Sequence, residues 1–395
     1  MPVRVSQDYF DIAQICRSGQ CFRMEMLPQY DGAADGPDPG ASSGAGRGQG
    51  AVHGVLHVGA ASDTSGYGAA DGPDPGASGG AGRRQGAVRA SLVAHGRYLE
   101  ITQRGNETTF SCGDEEFEGI WKRYFDLERD YGGIVRCAMD AGGHLRDAAS
   151  CGGGLRILRQ ELWETLVTFI ISQQNNITRI RRSVAALCER FGEGKTAWVW
   201  RGGGYAQGGH APPQTGGGGV WPIGARCGDG QPGGANDESD GSGISGSAGY
   251  GGGDPAGCVS VGYHSFPTPE ALAAATPEEM SACGLGYRGP YIIKTARQVL
   301  QGDVDLDGIA GMDYPQAREA LKTLSGVGNK VADCVCLFAL GHLDAFPVDT
   351  HIKQALGRHY PEGFPQGDFD GISGIMQQYL FYYELHGRAK SVPVQ

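Results

Sequence analysis

Leu324-Ser325-Gly326-Val327-Gly328-Asn329-Lys330-Val331-Ala332-Asp333 decides the fold, and nineteen residues after Lys330 comes Asp349 in Phe346-Pro347-Val348-Asp349-Thr350-His351. Residues 315–324 (PQAREALKTL) have the spacing of a short amphipathic helix, and residues 329–340 (NKVADCVCLFAL) that of an apolar, buried one. Between them, Gly326 and Gly328 can take positive φ and carry no Cβ, so the turn can lie close to another surface with its N–H groups exposed. At a helix start such groups hold a phosphate. A glycine-ended turn between packed helices is also common for structural reasons alone. The lysine-to-carboxylate spacing that follows favours the nucleic-acid reading.

Composition limits what surrounds this hairpin. The chain has 395 residues, 69 of them glycine, and is 40% hydrophobic, so much of it is not core; the folded part is expected to be about 270 residues. A net charge of −11 argues against a broad basic face that grips nucleic acid nonspecifically. The acidic residues lie partly in low-complexity segments (Asp31, Asp35, Asp38, Asp237, Glu238, Asp240), whereas residues 151–200 carry seven Arg/Lys against four Glu, leaving room for a local basic surface. Eleven cysteines without regular spacing fit a reducing compartment better than a disulfide framework. No apolar run approaches the ~18 residues that span a membrane, and MPVRVSQDYF has no signal-peptide apolar region. The expectation is a soluble intracellular monomer, cytoplasmic if the source is bacterial and nuclear if it is eukaryotic, with no membrane partner.

Two segments interrupt the ordered sequence. Residues 32–52 recur as residues 68–88, nineteen of twenty-one positions being identical, which is a duplicated Gly/Pro/Asp linker rather than a solenoid. It offers too little apolar surface to offset chain entropy, so an insert at about 31–86 is expected to be disordered. A second insert, about 201–262, is expected to be the same, with residues 215–219 and 241–253 its poorest parts. The duplication also copied a strand-like run: Val52–His57 resembles Val88–Val93, and the second copy is favoured for the sheet because it runs directly into Tyr98–Thr102. Outside the inserts, residues 7–30 and 86–112 alternate as antiparallel strands do. Residues 114–200, including Trp121–Tyr131 and Leu155–Phe191, turn helical, and residues 267–386 continue as helices. The fold class is α+β: an N-terminal twisted antiparallel sheet domain over 1–120, then a helical domain with the hairpin over 121–390.

Further stretches share one order with the hairpin: Gly19-Gln20-Cys21-Phe22-Arg23, Gly154-Leu155-Arg156-Ile157-Leu158-Arg159-Gln160, Phe169-Ile170-Ile171-Ser172-Gln173-Gln174-Asn175-Asn176-Ile177, Gly284-Leu285-Gly286-Tyr287-Arg288, and Gln377 with Leu380-Phe381. With LSGVGNKVADCVCLFAL and PVDTH, the chain resembles the 8-oxoguanine DNA glycosylase/AP lyase family of the helix-hairpin-helix DNA glycosylase superfamily. The resemblance covers all three ordered blocks and neither insert. It implies excision of 8-oxoguanine or a related oxidised purine from damaged double-stranded DNA, then strand cleavage by β-elimination, with no cofactor and no metal.

Residue by residue, the resemblance makes Lys330 the nucleophile at the sugar's anomeric carbon and Asp349 the catalytic carboxylate. A neutral amine needs the lysine brought from ~10.4 toward ~8, about 3 kcal/mol of desolvation, which Val331, Leu337 and Phe338 could supply. Gly19, Phe169, Cys334, Gln377 and Phe381 match the damaged-base pocket, where stacking and edge hydrogen bonds hold a flipped base. Gly326, Gly328, Val331, His351, Asn175, Asn176, Arg179, Tyr287 and Arg288 match DNA contacts, the two arginines on the orphaned cytosine and Tyr287 as a stacking wedge. Taken without the resemblance, Lys330 is a helix-start lysine facing phosphate, Asp349 an N-cap, Phe169 and Phe381 core, His351 a solvated side chain, and each arginine a phosphate contact. One departure stands out: the family's asparagine triplet is here Gln174-Asn175-Asn176, which puts contact with the opposite base through Gln174 in question.

Rival readings are weaker. An iron–sulfur relative needs four cysteine ligands after the aspartate, and no cysteine follows Cys336. A monofunctional alkyl-base glycosylase lacks the hairpin lysine. A DNA-binding adaptor without catalysis would have no need to keep both Lys330 and Asp349.

Overall fold

The computed structural model describes residues 2–28, 56–57, 86–200 and 258–387. Strands β1 (Val3–Ser6), β2 (Met24–Leu27), β4 (Val88–Ala94), β5 (Arg97–Arg104) and β6 (Glu107–Phe110) form an antiparallel sheet in the order β1-β6-β5-β4-β2. Side chains alternate across it. Leu92, Leu99 and Ile101 join Ile12, Ile15, Met24, Phe110, Trp121 and Phe125 in one core, while Val93 and Tyr98 point to the opposite face. Among the strand-like residues 7–30, helix α1 (Ile12–Arg17) stands where alternation suggested a strand, because Asp11 Oδ1 accepts from the backbone N–H groups of Ala13 and Gln14 and starts it.

The second face explains a departure from the helical expectation. Residues 194–200 and 258–262 were expected to be helix and disordered insert; instead β7 (Gly194–Trp200) and β8 (Cys258–His264) pair as antiparallel strands. Ala197, Val199, Val261 and Tyr263 pack on Val93 and Tyr98, so the apolar alternation of these strands buries itself against the first sheet. Leu56–His57, designated β3, pairs in parallel with β8, and Val88–Ala94 of the second copy enters the main sheet, as expected. Other expectations for the two inserts lie outside the described residues.

Helices α2 (Tyr131–Asp140), α3 (Gly143–Gly152), α4 (Leu162–Ile171), α5 (Ile177–Phe191), α6 (Gly289–Leu300), α7 (Tyr314–Lys322), α8 (Asn329–Val335), α9 (Thr350–His359) and α10 (Ser373–His386), with shorter helical turns between them, surround a second core. Within 155–191 the helix is not continuous: residues 155–161 are neither helix nor strand. Their polar groups are engaged across the two cores: Leu158 N–H donates to Gln20 Oε1, Ile157 N–H to the Tyr131 hydroxyl and Arg159 N–H to the Tyr124 carbonyl. Gln20 Nε2 returns a bond to the Arg156 carbonyl, and Gln160 Nε2 one to the Gln20 carbonyl. The GQCFR and GLRILRQ motifs therefore hold each other, and this join fixes the turn at Gly19 against the helical region.

Candidate active site

The hairpin is built from α7 and α8. Asp313 caps α7 by accepting from Gln316 N–H, and Pro315 sits in its first turn, where a missing N–H is harmless. Leu321, Leu324, Val331 and Val335 are buried between the helices, each worth ~1.5–3 kcal/mol of apolar burial. Gly326 has φ +78°, and a Cβ there would lie 2.8 Å from Tyr291 Cβ, so both backbone and space require glycine. Gly328 opens on empty space and precedes α8 with no side-chain cap, which leaves the helix start to an outside acceptor.

Cross-links fasten the hairpin on several sides. Asp333 Oδ1 accepts from Arg318 Nε at 2.6 Å and from the Tyr314 hydroxyl at 2.9 Å. Thr295 donates to the Ser325 carbonyl, Ser325 N–H to Gln298 Oε1, and Gln173 Nε2 to the Gly326 carbonyl at 2.9 Å. Val331 is buried, so its side chain belongs to the core and only its backbone can face DNA.

Lys330, half-buried on the first turn of α8, donates from Nζ to Ser172 Oγ at 3.1 Å and lies 4.8 Å from the centre of the Phe169 ring. Ser172 in turn donates to the Phe169 carbonyl, so hydroxyl and ring both come from the end of α4. Phe169 stacks on Phe338 at 5.4 Å and meets Phe22 edge-on at 5.7 Å. Cys334, one turn after Lys330, is buried; desolvation pushes its thiol up to about 11 against the pull of the Lys330 ammonium. It stays a neutral thiol at physiological pH.

Asp349 precedes α9 and caps it, Oδ1 accepting from Ile352 N–H at 2.9 Å. Gln377, buried on α10, donates to the Pro347 carbonyl at 2.9 Å and accepts from Gln378 Nε2, tying the segment before Asp349 to the helix that carries Phe381. Phe381 is half-buried and meets the exposed His351 ring edge-on at 6.2 Å. Gly19, at φ +75°, approaches the same place: a Cβ on it would lie 3.4 Å from both Phe381 Cε1 and Ile177 Cδ1. Gly19, Phe381 and His351 thus meet, Gln377 holds the segment before Asp349, and Phe169 and Cys334 stand by Lys330.

The DNA-contact candidates form a second group beside it. Asn176 caps α5 by accepting from Arg179 N–H, and Asn175 donates to the Ile171 carbonyl. Gln174, exposed at the loop tip, has φ +47°, a left-handed conformation uncommon for a residue with a side chain. Arg288 donates from Nε to the Gln173 carbonyl at 2.8 Å and from Nη2 to the Gln174 carbonyl at 3.1 Å, while its guanidinium lies 4.5 Å from the centre of the exposed Tyr287 ring. Arg179 is exposed one turn into α5. Sequence reasoning assigned no role to Ser172 and showed Gln173 only as a further amide beside the Gln174-Asn175-Asn176 triplet. Both stood in the quoted FIISQQNNI run, but partners 158 and 153 residues away cannot be read from local pattern.

Two sequence profiles match the chain: the 8-oxoguanine DNA glycosylase N-terminal domain over residues 83–166, and the HhH-GPD superfamily base excision DNA repair protein over residues 249–363. An N-glycosylase/DNA lyase of Saccharomyces cerevisiae is 33% identical over 219 residues, 52% of this chain and 42% of that protein. A probable N-glycosylase/DNA lyase of Methanothermobacter thermautotrophicus is 35% identical over 147 residues, 30% of this chain and 47% of that one. The chain therefore spans less than half the length of these curated relatives. Among solved structures, MBOgg1 in complex with a low-affinity DNA ligand superposes with a TM-score of 0.63 at 25% identity, covering 98% of this chain and 96% of that one. The 8-oxoguanine glycosylase/lyase of Clostridium acetobutylicum, at 23% identity and a TM-score of 0.61 over 98% of each chain, has the same fold.

With its sheet and hairpin, the chain is similar over residues 249–363 to base excision DNA repair proteins of the helix-hairpin-helix class. Within that class, residues 83–166 and the yeast and archaeal relatives make the chain similar to the 8-oxoguanine DNA glycosylase/AP lyase family.

Proposed function

We propose that this protein is a bifunctional DNA glycosylase/AP lyase that removes 8-oxoguanine, or a related oxidised purine, from duplex DNA. The observation that carries the reading is the placement of Lys330: its amine is anchored by Ser172 at the face of the Phe169 ring, and Cys334 beside it feels the charges of both Lys330 and Asp349. In the proposed reaction the neutral Lys330 amine attacks the anomeric carbon as the bond to the base breaks, and the departing base takes up a proton. The lysine nitrogen then gives up a proton as the C1′–O4′ bond of the sugar opens and O4′ is protonated, leaving an imine; this withdraws electrons, a proton leaves the adjacent sugar carbon C2′, and the 3′ phosphate departs by β-elimination. The Asp349 carboxylate beside the sugar opposes the developing positive charge.

A flipped purine would stack near Phe381 and have its edge read by Gln377 and the Gly19 carbonyl. The hairpin and His351 would hold phosphate, and Asn175, Asn176, Arg179, Tyr287 and Arg288 the vacated stack and the orphaned base. Among the described residues no helix is long and apolar enough to cross a membrane. A duplex carrying one 8-oxoguanine tests the assignment: release of the free base together with a nick on the 3′ side supports it. Tight binding with neither product would instead favour the non-catalytic adaptor.

A further inference from the structure

Away from the lysine pocket, metal-ligating side chains converge where α3, α9 and α10 meet. His144 lies in the first turn of α3, His359 ends α9, and Glu384 is in the last turn of α10. Two imidazole nitrogens and a carboxylate oxygen, one from each, lie within 4.8 Å of one another. The imidazoles stack face to face, with centroids 3.7 Å apart and planes 4° from parallel. His144 Nε2 is 3.3 Å from Glu384 Oε1, and Arg358 Nη2 holds the other oxygen at 2.7 Å. The side chains of His144 and Glu384 are only 10% and 4% exposed, whereas His359 is exposed.

We infer that His144, His359 and Glu384 bind one divalent transition metal of the zinc class. A histidine ligates through a ring nitrogen of the neutral imidazole. The donor set, two nitrogens and one carboxylate, suits Zn²⁺, Co²⁺ or Ni²⁺; Ca²⁺ and Mg²⁺ seek a shell of oxygens that is not supplied here. Ligand bonds of ~2.0–2.2 Å require the three donors to draw together by about 1 Å. His359, exposed at a helix end, supplies that movement by turning out of the stack. Arg358 stays on the second carboxylate oxygen, orienting Glu384 while its charge opposes the cation. Because α9 begins just after Asp349, the metal fastens the far end of the helix that Asp349 caps, to α3 and α10.

The test uses tag-free full-length protein stripped with a chelator, titrated with Zn²⁺ in a calorimeter and with Co²⁺ by visible absorption. The expected result is one ion per chain, a higher thermal midpoint with Zn²⁺, and a cobalt d–d band of imidazole and carboxylate ligation. Binding should weaken as pH falls below the imidazole range, since protons compete for the ligands. His359→Ala, at an exposed position, should keep the fold and weaken binding by ~10-fold or more, and Arg358→Gln should tighten it. Zn²⁺ affinity and stoichiometry unchanged in His359→Ala, or no heat of binding in the parent protein, would overturn the inference.

Discussion

The lysine pocket and the loop beside it are built on opposite principles. Around Lys330 the partners come from separate helices and are mostly buried: Phe169, Phe338, Cys334 and Gln377 are each at most 3% exposed. Around Gln174 the side chains face solvent, the backbone takes an uncommon conformation, and the shape is kept by Arg288 bonded to two successive carbonyls. The pocket is preorganised by packing, so its chemistry should be sensitive to small displacements. The loop is held by a few charge-assisted hydrogen bonds, so it can yield to DNA and should respond more gently to change.

The sharpest way to break this contrast is at the lysine. Lys330→Gln should abolish base release and strand cleavage while damage binding stays close to the parent's; retained excision would move the nucleophile elsewhere. Next in size is Asp349, whose two roles separate by substitution. Asn caps a helix about as well as Asp but carries no charge, so Asp349→Asn should slow excision by ~10²–10⁴-fold with an unchanged thermal midpoint. Asp349→Ala should show the same loss and a stability drop of ~1 kcal/mol. Equal stability in the two variants would show that the cap bond contributes nothing.

Ser172 comes third. Ser172→Ala removes the anchor of the Lys330 amine but not the amine itself, so the single-turnover rate should fall by ~10–100-fold while substrate affinity holds. A rate equal to the parent's would mean that packing alone positions the lysine. The loop should give the smallest effect. Arg288→Ala loses charge-assisted bonds to the Gln173 and Gln174 carbonyls at a partly exposed site, so excision should slow by only ~2–5-fold. If Arg288 acts by holding the loop, excision slows alike opposite every base; if it reads cytosine, the cytosine preference shrinks.

What the sequence disclosed follows the same division. The hairpin, Asp349 as a cap and the α7 and α8 segments were legible because glycine, proline and capping residues act locally. The sheet strand at Val88–Ala94 was legible for its alternation. The β7–β8 pair was obscured because its strands flank a Gly-rich segment and pair with each other across 57 intervening residues (201–257). The absence of helix over residues 155–161, before α4, was hidden because apolar spacing there serves two cores rather than one helix face. For the site, residue types were readable but partners were not: nothing local in Phe169 or Cys334 separates a pocket wall from ordinary core, and the Ser172 bond to Lys330 exists only in three dimensions.

The measurement that bears most directly on the central claim is borohydride trapping on a duplex with 8-oxoguanine opposite cytosine. The parent protein should become covalently joined to the cleaved strand, with the modified peptide containing Lys330, and Lys330→Gln should give no adduct. Base release by the parent without any trapped complex, or a complex formed equally by Lys330→Gln, would contradict the account.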